Sequence, residues 1–141
     1  MTLEAISTNP QVSVSYLGPD TSKGATLLHL QVTLLLPGQS ASASALILTL
    51  STMDIYFDPQ SFLPLFLDFN IHPDNDANVN LPAEIRFGAY QSSNGVSAPT
   101  RIQKYLQNSL LLDLTVTNVA VNSGVPASDF TLPAATAGGE L

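Results

Sequence analysis

The chain has no cysteine and no tryptophan among its 141 residues. Without thiols there are no disulfides, no thiolate metal ligands and no cysteine nucleophile. Basic residues are nearly as scarce: Lys23, Arg86, Arg101 and Lys104 face eleven acidic residues for a net charge of −7, and none lies between Gly24 and Ile85. Phosphate binding relies on Lys and Arg to displace counterions, so nucleic acid is excluded as a partner and an anionic membrane is disfavoured. No apolar run approaches the ~20 residues of a membrane span. The best, Ser61 to Phe69, is interrupted by Pro64 and Asp68. The first ten residues lack a basic segment followed by an apolar one, so no classical signal peptide is expected, and the expected location is the cytoplasm or a non-classical export route. Glycine-rich phosphate loops, the G-x-S-x-G elbow and N-x-S/T sequons are also missing.

What the chain does have is alternation. From Ala25, Leu28, Leu30, Val32, Leu34 and Leu36 fall on every second position, the two-residue period of a half-buried strand. Pro37-Gly38 fits the two central positions of a type II turn. Leu46, Leu48 and Leu50, then Met53, Ile55 and Phe57, read as a second arm returning to Phe57, with a bulge near Ser51-Thr52 and a low-complexity Ser-Ala run at 39–45. Shorter alternating stretches follow the same rule at Gln11 to Leu17 and Glu84 to Gln91, and a longer one at Leu110 to Val121. Phe62 to Phe69 is apolar on both faces, and Pro64 predicts an edge position for it. A two-sided apolar edge needs cover, so a homo-oligomer or a protein partner is expected through Phe62–Phe69. Asn94-Gly95 predicts a tight type I′ turn. Ile102, Tyr105, Leu106 and Leu110 recur at helical spacing, which predicts one short helix near 99–111; a strand with Ile102, Lys104 and Leu106 on one face competes with it.

These elements predict an all-β, antiparallel β-sandwich of about six to eight strands, with a β-barrel as the alternative. The expected organisation is one domain over 1–133 and a flexible tail at 134–141.

Candidate chemistry is sparse. Asp74, Asp76, Asn78 and Asn80 stand two apart, a spacing that lets hard oxygen donors converge on Ca²⁺, although Val79 and Ile85 occupy the EF-hand's glycine and terminal glutamate positions. The plainer reading is an Asx-rich turn. Tyr56, with His29 and Gln31, forms a candidate carbohydrate-binding face, which the absence of tryptophan weakens. Asp54, Asp58, Asp68 and Glu84 are carboxylates from which an acid/base pair for glycoside hydrolysis could be drawn. His72 with an acidic partner is the best remaining hydrolase arrangement. With no nucleophile motif and no cofactor motif, the leading expectation is a non-catalytic binding or self-assembly module. A calcium-assisted carbohydrate binder comes second and a hydrolase third. Beyond that Ca²⁺, no cofactor is expected.

Overall fold

A computed structural model describes residues 9–121 and 123–131. Seven strands follow one another in chain order: β1 (Val12–Asp20), β2 (Leu27–Leu34), β3 (Met53–Phe57), β4 (Pro64–Ile71), β5 (Leu81–Ser93), β6 (Val96–Leu106) and β7 (Ser109–Thr115). They form one sheet in the order β1-β2-β3-β4-β5-β6-β7, every pairing antiparallel. A helix, α1 (Ala41–Ser51), interrupts the β2–β3 connection, and a single 3-10 turn occupies Ala127–Phe130. The all-β antiparallel class and the strand number expected from the alternation hold. The strands lie in one open sheet, however, and neither form two facing sheets nor close into a barrel. Alternation predicts that a strand has a wet and a dry face, but not where a sheet ends, and short connections here pair each strand with its successor.

Two hairpins show how local chemistry sets the register. Asn94 and Gly95, at φ 49° and 80°, join Ser93 to Val96 with the two positive φ values of a type I′ turn. Gln107 and Asn108, at φ 49° and 64°, do the same between Leu106 and Ser109. That second turn falls inside the region expected to be helical. The helix predicted at 99–111 is therefore replaced by β6, the turn and the start of β7, and the competing strand, with Ile102, Lys104 and Leu106 on one face, is what forms.

The one long helix among the described residues lies instead in the supposed second arm of the first hairpin. Ala41, Ala43 and Ala45 are the strongest helix formers, and the Ser40 side chain caps the first turn by accepting from the Ala43 N–H at 3.2 Å. At the other end the Thr52 N–H and hydroxyl both donate to the Leu48 carbonyl, at 3.1 and 2.6 Å. The Ser51 hydroxyl accepts from the Leu34 N–H at 2.9 Å and ties the end of α1 to the end of β2. The expected pairing survives around the insertion, with Leu28 opposite Phe57, Leu30 opposite Ile55 and Val32 opposite Met53. The expected bulge at Ser51-Thr52 is the helix-to-strand junction.

β4 is central, hydrogen-bonded to β3 and β5, so the edge position predicted from Pro64 is not observed. Pro64 is the first residue of the strand and stands opposite Phe57 at a register irregularity, where its missing N–H breaks no ladder. The two strands at the edges are β1 and β7.

The buried core is small. Val32, Ile55 and Phe57 form its centre, with Val12, Leu28, Leu30, Met53 and Leu67 packed against them. No residue of α1 is buried, and Leu46, Leu48 and Leu50 remain exposed. The predicted tail at 134–141 lies outside the described residues. Removing the cap in Ser40→Ala is expected to cost α1 about 1 kcal/mol, lowering hydrogen-exchange protection of the Ser44 to Ile47 amides by about fivefold while β2 and β3 keep theirs.

Candidate functional site

Because side chains alternate and paired residues share a face, each cross-strand row of the sheet can be read as one line. On the polar face one row runs Ser15, Gln31, Asp54, Asp68, Glu84 and Tyr105. The next runs Gly18, His29, Tyr56, Phe66, Arg86, Gln103 and Asp113. Asp54, Asp68 and Glu84 are thus three carboxylates on adjacent strands, an arrangement that repels itself unless countered. Four side chains counter it. Lys23, from the β1–β2 loop, reaches over the sheet and donates to Asp68 at 2.6 Å and Glu84 at 2.5 Å. His29 Nε2 and Gln31 Nε2 donate to Asp54 at 2.8 and 3.2 Å, and Arg86 Nε donates to Glu84 at 2.5 Å.

The Lys23 ammonium also lies 5.1 Å from the Tyr56 ring centroid and 5.3 Å from that of Phe66. Burial works against its charge, but the bonds to Asp68 and Glu84 outweigh that and hold its pKa above the ordinary lysine value. Burial likewise opposes ionisation of Glu84, yet Lys23 and Arg86 together bring its pKa below the usual glutamate value. Asp68 shares Lys23 and has no second cation, so burial prevails and its pKa rises, helped by the neighbouring carboxylates. Its Oδ1 has no hydrogen-bond partner among the described residues.

The structure brings His29, Gln31 and Tyr56 together, as the alternation requires. The His29 and Tyr56 rings stack at a centroid distance of 4.5 Å, and His29 and Gln31 share Asp54. Tyr56 is buried beneath this cluster, so its ring packs within the network and offers no open plane. Asp58 stands apart in the β3–β4 turn, where Ser61 donates to it from N–H at 2.9 Å and hydroxyl at 2.6 Å. In the β4–β5 loop the Asn78 N–H and side-chain amide donate to Asp76 Oδ1 at 2.9 and 3.2 Å, the hydrogen-bonding pattern of an Asx turn. No three of His, Cys, Asp and Glu converge on a metal-sized site among the described residues. His72 donates from Nδ1 to the Val79 carbonyl at 3.2 Å within the same loop. Lys23 is the member that sequence reasoning missed, because its loop position carries no periodicity that places it over the sheet.

The opposite face has a different character. One row reads Tyr16, Leu30, Ile55, Leu67, Ile85, Lys104 and Leu112, and the next Val14, Val32, Met53, Phe69, Ala83 and Leu106. Phe87, Ile102 and Leu114 continue it on β5 to β7. Where α1 meets the sheet, Leu50 lines, together with Val12, Val32, Met53 and Phe69, a largely apolar open cavity of about 330 Å³. Toward β7 nothing among the described residues lies over the face, and Leu112 and Leu114 are 49% and 45% exposed. No helix among the described residues is long and apolar enough to cross a membrane.

An open antiparallel sheet with a helix at one end is a fold already seen. A crystallised domain described as belonging to an outer membrane lipoprotein-sorting protein of Vibrio parahaemolyticus matches it with a TM-score of 0.58 at 12% identity. The match covers 85% of this chain and 46% of that one, so this chain spans less than half the length of its structural neighbour. No protein-family model and no curated protein matches the sequence.

Lys23→Met removes the cation between Asp68 and Glu84 and is expected to destabilise the fold by about 1–3 kcal/mol at neutral pH. Since the Lys23 pKa is raised, its stabilisation is present below the ordinary lysine value and disappears as pH climbs past the folded one. Since the Glu84 pKa is lowered, its share is present above the ordinary glutamate value and is lost on acidification, whereas raised Asp68 favours the fold when protonated. The gap in melting temperature between wild type and Lys23→Met should therefore narrow from neutral pH to about pH 4, where carboxylates begin to protonate.

Proposed function

We propose that this protein is a non-catalytic binding module whose apolar sheet face receives the acyl chain of a lipid-like ligand. The observation that carries the reading is the contrast between the two faces. The polar face consumes its charged groups in a mutual network, whereas the apolar face presents rows of aliphatic and aromatic side chains, interrupted at Lys104, with only one end under α1. A single layer of this kind leaves apolar area in water, which favours an apolar occupant by roughly 25 cal/mol for each Å² covered. The cavity under α1 falls in the range of ~300–1,000 Å³ typical of small-molecule sites and has the predominantly apolar lining such sites use. The structural neighbour's description supports the same chemistry, since a lipoprotein is distinguished by its lipid.

Leu50 provides the test, because it lines the cavity yet is 44% exposed, so a polar replacement leaves the sheet intact. Calorimetry with dodecanol should detect binding to the wild type. Leu50→Asp should weaken it by at least about fivefold, since a carboxylate against an alkyl chain loses hydration. Gln31→Ala, on the other face, should leave it unchanged. Equal affinity for wild type and Leu50→Asp would contradict the reading.

Strand pairing at β7 supports a second reading, self-assembly. All seven residues of β7 are exposed, and its outer edge is unpaired among the described residues and carries neither Lys nor Pro, while Leu110, Leu111, Leu112 and Leu114 project from it. Light scattering should then show dimers at high concentration that Leu111→Lys abolishes. A wild-type monomer throughout would remove this second reading.

A further inference from the structure

Among the described residues the apolar face carries one charged group. Lys104 stands opposite Ile85 on β5 and opposite Leu112 on β7, with Ile102 and Leu106 as its neighbours on the same face of β6. None of the ion pairs among the described residues involves it. The other three basic residues are each paired with a carboxylate on the polar side: Lys23 with Asp68 and Glu84, Arg86 with Glu84, Arg101 with Asp113. The register pairs of the apolar face contain no acid at all. An ammonium in such surroundings keeps its stem along apolar neighbours and its head toward water. Among the described residues it lacks the counter-charge that Lys23, Arg86 and Arg101 have.

We propose that Lys104 binds the head of an anionic amphiphile, so that the ligand class is a long-chain acid whose carboxylate meets Lys104 and whose chain runs across the face toward α1. This inference rests on the acyl-binding reading above and adds its head-group selectivity. The span is suitable: β6 to β3, where Met53 lines the cavity, is three strand intervals of about 4.8 Å each, roughly 14 Å, within reach of a twelve-carbon or longer acyl chain. The path from Lys104 crosses Ile85, Leu67 and Ile55 and ends beside Met53 in the cavity that Leu50 helps to line. Charge complementarity selects the head group. A cationic amphiphile would set two like charges side by side, and a neutral one would give the ammonium at most a neutral acceptor and no counter-charge. The net charge of −7 makes this selectivity a local property, because the protein as a whole repels anions.

Calorimetry at pH 8 with dodecanoate, dodecanol and dodecyltrimethylammonium, each kept below its micelle concentration, tests it on one common tail. Wild type should bind dodecanoate about five- to tenfold more tightly than dodecanol, the size of one charge-assisted hydrogen bond in partly wet surroundings, and the trimethylammonium compound most weakly. Lys104→Met should abolish the preference while keeping dodecanol affinity, and Lys104→Arg should retain the preference. Equal affinity of wild type for dodecanoate and dodecanol, or a preference that persists in Lys104→Met, would overturn the role of Lys104 and leave the acyl-binding reading standing. Failure of all three to bind would overturn that reading, and this inference with it.

Discussion

The two-residue side-chain period of a β-strand, carried laterally through six antiparallel pairings with its phase kept along the central rows, is the constraint on which this structure depends. A strand slipped by one residue would put Asp54 or Asp68 among Leu30, Ile55 and Leu67, and the cation of that face, Lys104 on β6, lies two or three strands away. Register is therefore held by chemistry on both sides at once. Apolar rows cohere through burial, and the carboxylate row coheres because Lys23, His29, Gln31 and Arg86 supply its missing positive charge and donors. The irregularities at Tyr16/Gly18, Tyr56/Phe57 and Lys104/Tyr105 adjust the strands without exchanging the faces across the centre.

A meander of seven strands with one peripheral helix buries little. Among the described residues core-like burial is reached on β2 and β3 and at Ala83 of β5, and no side chain is wholly removed from water. The polar network adds a second anchor at the same place, since Tyr56 lies beneath Lys23 and His29 just behind Ile55 and Phe57. Stability is thus concentrated in the centre of the sheet. The β6–β7 end is left as surface, and that is where the unpaired strand edge and the unpaired Lys104 both sit. The separation between a self-satisfied polar face and an unsatisfied apolar one is what favours binding over catalysis as the proposed role.

Much of this was legible in the residues. Alternation in 28–34 and 53–57 identified the central pair, and it placed His29, Gln31 and Tyr56 on a common face, where they touch. Asn94-Gly95 announced its turn. Other parts were hidden for physical reasons. The Ser-Ala run at 39–45 has a two-residue period by composition, yet alanine's helix preference and the Ser40 cap decide its conformation. Gln107-Asn108 carries a type I′ turn without glycine, so the helical spacing of Ile102, Tyr105 and Leu106 misled. Pro64 pointed to an edge because a missing donor is usually tolerated there, but the first residue of a central strand tolerates it equally. Lys23 joined the carboxylates through a loop, and no one-dimensional pattern encodes that reach.

Solvent access to the methyl groups of the β6–β7 end tests the single open layer most directly. With a water-soluble paramagnetic agent, the NMR methyl signals of Leu112 and Leu114 in the free protein should broaden as much as those of Val96, which is exposed to the same degree. They should be shielded once an acyl ligand saturates the face. Methyl signals already protected in the free protein would show that a second layer covers this surface, and would contradict the account.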